Sequence, residues 1–96
     1  DPVQVVKGAN ILYTDVWSSM GEEEEKEKKE KAFKGFTINQ DLVKQANKNV
    51  IVLHCLPAYR DKEITEEIID SKYSRIFDQA ENRLHAQQAL LTCLLS

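Results

Sequence analysis

Apolar residues fall into three short, β-rich runs separated by stretches with helical spacing. Val50-Ile51-Val52-Leu53, bounded by the polar Asn47-Lys48-Asn49, predicts a fully buried strand over 50–54. Ile11-Leu12-Tyr13-Thr14-Asp15-Val16-Trp17 predicts an earlier strand, apolar at its start and closed by Asp15. Ser74-Arg75-Ile76-Phe77-Asp78 predicts a third. Pro2 with Val3, Val5 and Val6 forms a lead-in that fits a helix turn, ended near Gly8-Ala9-Asn10. Leu42, Val43 and Ala46 share a face of a short helix begun by Asn39-Gln40-Asp41. Thr65 is placed to cap another, with Ile68 and Ile69 inward. A terminal helix opens on the Asp78-x-x-Glu81 cap pattern and carries Leu84, Leu91 and Leu95 on one face, beside Leu90 and Leu94. Cys93 lies among these leucines as a core residue.

One stretch departs from this patterning. From Glu22 to Lys34 the pairs Glu22–Lys26, Glu24–Lys28, Glu25–Lys29, Glu27–Lys31 and Glu30–Lys34 all stand in the favourable acid-before-base order four apart. Ser19-x-x-Glu22 just before them has capping-box spacing. Only Ala32, Phe33 and Phe36 offer apolar surface, which predicts a solvated helix anchored at its far end.

The alternation of strands and helices implies parallel βαβ units with right-handed crossovers, hence an α/β fold. Parallel strands bring their C-terminal ends to one sheet edge. Asp15, His54–Cys55 and Asp78–Gln79 therefore converge there, with Arg83 in the first turn of the helix just beyond. Pro57 forces the chain out of the sheet after Cys55. Open α/β sheets build ligand sites at such an edge.

Length and charge narrow the function. Ninety-six residues make one small domain or part of a larger one, and the absence of an initial methionine suggests a processed or partial chain. With net charge −3 and no basic stripe, nucleic acid is not an expected partner; no apolar run is long enough to span a membrane. Two cysteines without framework spacing suit a reducing cytoplasm.

Several chemistries compete for the 54–60 segment. A Cys55 nucleophile with His54 as base is disfavoured because strand neighbours point to opposite faces. A redox centre lacks the C-x-x-C spacing, a metal site lacks standard ligand spacing, and three glycines supply no phosphate loop. What remains is a cleft in which a thiol, a carboxylate and a guanidinium meet a small zwitterion, or else a plain strand end with an inert cysteine.

His54-Cys55-Leu56-Pro57, preceded by Asp15-x-x-x-Ser19-Met20-Gly21 and followed by Asp78-Gln79-Ala80-Glu81-Asn82-Arg83, closely resembles the C-terminal part of the ornithine carbamoyltransferase family. The resemblance runs in order along essentially the whole chain. It implies a three-layer, Rossmann-like parallel sheet with helices on both faces, of which residues 1–96 would be the C-terminal portion of the ornithine-binding domain. It implies carbamoyl transfer from carbamoyl phosphate to the δ-amine of L-ornithine, giving citrulline and phosphate in arginine metabolism, with no cofactor or metal. By motif match, Asp15 would hold the α-amino group, and Ser19 and Met20 would close over the amino-acid end. Cys55 and the Leu56 carbonyl would position the δ-amine, while His54 and Arg83 would lie by carbamoyl phosphate. Aspartate-specific relatives have proline where Cys55 stands. The family's S-T-R-T-R and H-P-x-Q segments are not in these residues, so the carbamoyl phosphate-binding domain is expected to lie elsewhere and this chain alone to be inactive. The parent enzyme would be a cytoplasmic homotrimer or higher homo-oligomer. Relatives using putrescine or acetylornithine, and a non-catalytic fragment that self-associates, are the alternatives.

Overall fold

The computed structural model describes every residue except Met20, with Glu23 described through its backbone alone. Strands β1 (Ile11–Thr14) and β2 (Ile51–His54) pair in parallel, Ile11 opposite Ile51 and Thr14 opposite His54. That register delivers the next residue of each strand, Asp15 and Cys55, at the same sheet edge. β1 stops short of the 11–17 expectation because the Asp15 carboxylate turns back to accept the Val16 N–H at 2.7 Å. β2 is buried only at alternate positions, Val52 and His54, with Ile51 and Leu53 half-buried.

The expected third strand is reduced to one residue. Ser74 bridges to Val52, which donates to Tyr73 O at 2.8 Å and accepts from Arg75 N–H at 2.9 Å. Helix then takes over at Ile76, because Gln79 N–H already closes onto Arg75 O at 2.8 Å. Ile76 and Phe77 read as strand from their β propensity. Helical geometry instead sends Ile76 into the core, fully buried, and leaves Phe77 exposed.

Helix α1 (Pro2–Val6) is capped by Asp1, whose side chain accepts the Val3 N–H at 3.0 Å, with Pro2 at the first helical position. The charged stretch forms a 3-10 turn, Glu23–Glu25, before α2 (Lys26–Ala32). This tighter turn shifts the acids out of α-helical register. Of the expected four-apart pairs only Glu25–Lys29 forms among the described residues, at 3.9 Å; Glu22 also pairs with Lys29, and Glu30 reaches across the chain to Lys62 at 2.5 Å. Glu22 accepts the Ser19 N–H at 3.3 Å, the back-reaching half of the capping box. The far-end anchor is aromatic: Phe33 stacks on Trp17 and meets Phe36 edge-on, both at 6.2 Å between ring centroids.

Asn39 caps α3 (Gln40–Gln45) by accepting the Leu42 N–H at 2.9 Å, and α3 packs against α1. Helix α4 (Glu66–Ile69) differs from expectation at its start. Thr65 occupies the cap position, but its hydroxyl makes no capping bond; Asp61, from the preceding loop, accepts the Glu66 N–H at 3.2 Å instead. Ile68 and Ile69 join a core with Val6, Leu12, Ile38, Leu42, Val43, Val50, Val52, Ile64 and Ile76.

Helix α5 (Ile76–Leu95) is 20 residues long, and only Ile76 is buried. It projects past the core, so the radius of gyration is 15.6 Å, above the ~13 Å of a compact 100-residue domain. Leu84, Leu90, Leu91, Leu94 and Leu95 are exposed, and so is Cys93, which is therefore not a core residue.

Candidate functional site

The site grows from the ends of β1 and β2. Asp15 and Cys55 leave adjacent parallel strands and bring carboxylate and sulfur within 4.8 Å of each other. They line a cleft of about 390 Å³ with Val16, Ser18, Ser19, Leu56, Pro57 and Tyr59. Their proximity shifts the pair in opposite senses. The Cys55 thiol, then the Val16 N–H, hold the Asp15 carboxyl below its ordinary value. The Asp15 carboxylate, aided by partial burial, pushes the Cys55 thiol up. Cys55 is thus an exposed thiol held in its protonated form beside a carboxylate. A nucleophilic cysteine needs the opposite shift.

His54 occupies a different position from its neighbour. Its side chain is fully buried, Nδ1 accepts the Leu56 N–H at 2.8 Å, and Nε2 lies 2.7 Å from Glu63 Oε1. An acceptor Nδ1 places the ring proton on Nε2, donating to Glu63. Both ring nitrogens are consumed inside the chain, so the imidazole is neither a base for Cys55 nor turned into the cleft. The donor atoms of Asp15, His54 and Cys55 lie within 4.8 Å of one another. With both His54 nitrogens engaged, only two of the three are free, against the four ligands of a closed zinc site.

The backbone after β2 is shaped for this arrangement. Leu56 has φ +58°, a left-handed conformation that a non-glycine residue adopts at a cost of about 1–2 kcal/mol, and the peptide to Pro57 is cis. The Leu56 N–H bond to the His54 ring offsets that cost locally. Gln79, in the first turn of α5, accepts the His54 N–H at 3.1 Å and donates to the Tyr13 hydroxyl at 3.1 Å. Of the expected convergence of Asp15, His54–Cys55 and Asp78–Gln79, all but Asp78 is therefore present; Asp78 is exposed and lines a separate cavity with Asp70 and Arg75. Ser19 and Leu56 join it at the cleft wall. Met20 lies outside the described residues. Arg83 does not reach this cluster. It sits seven residues beyond the start of α5, about 10 Å along the axis, exposed and without a hydrogen bond or ion pair among the described residues. The first-turn placement failed because α5 begins at Ile76 rather than after Asp78.

Glu63 belongs to none of the motifs in the sequence. It is 1% exposed, and one oxygen takes both His54 Nε2 and the Tyr59 N–H, the latter at 2.8 Å. The available signal was indirect: an imidazole at a buried strand end needs an acceptor, and a short loop offers few.

The family model for the aspartate/ornithine carbamoyltransferase Asp/Orn binding domain matches residues 1–94. The chain belongs to the aspartate/ornithine carbamoyltransferase family. An ornithine carbamoyltransferase from Prochlorococcus marinus (strain MIT 9312) is 71% identical over 96 residues, all of this chain and 31% of the relative. The crystal structure of anabolic ornithine carbamoyltransferase from Campylobacter jejuni superposes with TM-score 0.89 at 48% identity, covering 98% of this chain and 31% of that one. The ornithine carbamoyltransferase from Pyrococcus furiosus gives 0.86 at 55% identity, covering 95% and 29%. The chain thus spans about 31% of the length of the carbamoyltransferase relative it matches at 71% identity. The parallel α/β architecture expected from the motifs is the family's, here with two strands of its sheet.

Proposed function

We propose that this chain supplies the ornithine-binding half of an enzyme that transfers a carbamoyl group from carbamoyl phosphate to the δ-amine of L-ornithine. The amine nitrogen attacks the carbamoyl carbon, the carbon–oxygen bond to phosphate breaks, phosphate leaves with the electron pair, and the nitrogen loses a proton. Citrulline and phosphate result. The observation that carries this reading is the meeting of the Asp15 carboxylate and the Cys55 sulfur, within 4.8 Å, in a cleft also lined by Ser19 and Leu56.

In this reading Asp15 receives the α-ammonium of ornithine, and Ser19 and Met20 close over the amino-acid end. Cys55 and the Leu56 carbonyl orient the δ-amine. Arg83 acts at the carbamoyl phosphate end, which requires substrate or other residues to bring that end to it. The free cleft suggests an order of events. With Asp15 unpaired by substrate, the thiol is held protonated. An ammonium arriving at Asp15 takes over the carboxylate and frees the thiol, which then gives up its own proton to solvent. The thiolate so formed accepts a hydrogen bond from the δ-amine and, as the new bond forms, its proton. The role in arginine metabolism, the cytoplasmic setting and homotrimeric assembly belong to the same proposal and rest on the motif resemblance.

The test is made in the full-length enzyme of which this reading makes the chain a part. Cys55→Ser should lower turnover by about 10²–10⁴-fold, the usual range for a lost proton-transfer group, while carbamoyl phosphate binding is unchanged. Wild-type citrulline formation by Cys55→Ser would remove the sulfur from the reaction.

A further inference from the structure

We propose that Glu63 is a positioning residue of this site: by gripping the His54 ring and the Tyr59 amide together, it sets the turn that presents Cys55 and Leu56 to the cleft. The inference rests on the carbamoyl-transfer reading above and names a residue that the motifs do not contain.

The geometry is a closed clamp across residues 54–63. At one end, His54 Nδ1 accepts the Leu56 N–H at 2.8 Å and thereby supports the left-handed backbone at Leu56. At the other, the same ring reaches Glu63 Oε1 at 2.7 Å, and the Tyr59 N–H meets that oxygen at 2.8 Å. One carboxylate oxygen therefore ties the start and the middle of the loop to its end. That end is itself fixed: Glu63 O accepts the Ile38 N–H at 2.9 Å, and the Thr37 hydroxyl donates to Lys62 O at 2.6 Å. Glu63 and His54 are each 1% exposed, so water does not compete for these bonds. Glu63 lines the adjoining cavity of about 140 Å³ that shares Ser18, Ser19 and Tyr59 with the cleft; at 1% exposure, with Oε1 engaged twice, it acts through the turn. Loosening the clamp frees Leu56 from its left-handed conformation and lets the Cys55 sulfur drift from Asp15.

Reach matters in this account, and charge does not. Glu63→Gln keeps an acceptor oxygen at the same distance. Glu63→Asp keeps the charge but withdraws the carboxylate by about one carbon–carbon bond, ~1.5 Å. In the full-length enzyme, Glu63→Gln should retain kcat within about threefold. Glu63→Asp should lose about 100-fold in kcat, the scale expected for a displacement near 1 Å, with KM for carbamoyl phosphate unchanged. The second readout is the pH midpoint of Cys55 alkylation by iodoacetamide, resolved from Cys93 by mass spectrometry. Glu63→Gln should keep the wild-type midpoint, and Glu63→Asp should lower it as the thiol leaves Asp15. Because alkylation needs no turnover, the clamp is tested even if the enzyme forms no citrulline. The reverse order of the two variants would show a charge role. Equal behaviour, or a loss of kcat that follows Tm with the alkylation midpoint unmoved, would show that Glu63 only stabilises the fold. Any of these results overturns the proposal.

Discussion

Replacing Thr65 with valine should stabilise the protein, although threonine at a helix cap position is normally worth keeping. A capping threonine contributes about 1 kcal/mol, so its loss ordinarily destabilises by that amount. Here the capping oxygen comes from Asp61, which accepts the Glu66 N–H at 3.2 Å. The Thr65 hydroxyl is the one buried side-chain polar atom without a partner among the described residues. Burying such a hydroxyl costs about 1–3 kcal/mol. Valine has nearly the same shape, fits the extended backbone at φ −79°, ψ 151°, and leaves the backbone bonds untouched. Those bonds are Thr65 N–H to Ile38 O at 3.0 Å and the Ile68 and Ile69 amides to Thr65 O. The net expectation is a gain of about 1–2 kcal/mol, equivalent to several degrees in Tm for a domain of this size. Asp61→Ala should cost about 1 kcal/mol through loss of the cap. Urea unfolding followed by far-UV circular dichroism measures both. Destabilisation of Thr65→Val by about 1 kcal/mol or more would mean that the hydroxyl is bonded after all and that the division of labour with Asp61 is wrong.

Asp15→Asn should lower the alkylation midpoint of Cys55 towards the ordinary thiol value of 9.0, because the Asp15 hydrogen bond is the largest cause of the upward shift; an unmoved midpoint would assign the shift elsewhere. Since the folded thiol titrates higher than the unfolded one, its contribution to stability is full below pH 9.0 and fades as pH rises through the folded value. The stability difference between wild type and Cys55→Ala, followed by urea unfolding against pH, should accordingly shrink on the alkaline side; a difference that grows there has the wrong sign. Ile68→Ala removes a fully buried side chain and should cost about 2–5 kcal/mol in the same unfolding assay, with a loss under 1 kcal/mol showing that the site collapses around the gap.

The parallel α/β order and the meeting of Asp15 with Cys55 were legible because both follow from strand ends. A β-branched run followed by Pro57 identifies where a strand stops, and parallel strands stop on one side. Helix starts were less legible. Asp78 and Glu81 carry a cap pattern, yet α5 begins at Ile76, since the single rung at Ser74 satisfies the local backbone and a helix then buries Ile76 as well as a strand would. That three-residue shift also displaces Arg83 from its expected first turn. Thr65 was misjudged for a related reason: the cap came from Asp61, whose left-handed backbone at φ +65° no local propensity announces. Glu63 escaped notice because a lone carboxylate in a charged loop carries no periodic signal, and only the burial of His54 shows what it is for. The exposure of Cys93 was hidden by its leucine neighbours, since periodicity reveals an apolar face but not whether these residues cover it.

The upward shift of the Cys55 thiol bears on how the protein endures oxidants. Peroxide and disulfides react with thiolate, and an exposed sulfur is ordinarily the first to be lost to sulfenic acid or mixed disulfide. Cys55 is exposed, yet its proton is held in place by Asp15. The carboxylate proposed to receive a positively charged guest thus also shelters the idle sulfur from oxidation. Occupation of the cleft would exchange one form of cover for another, the bound molecule then shielding by its bulk what Asp15 had shielded by its charge.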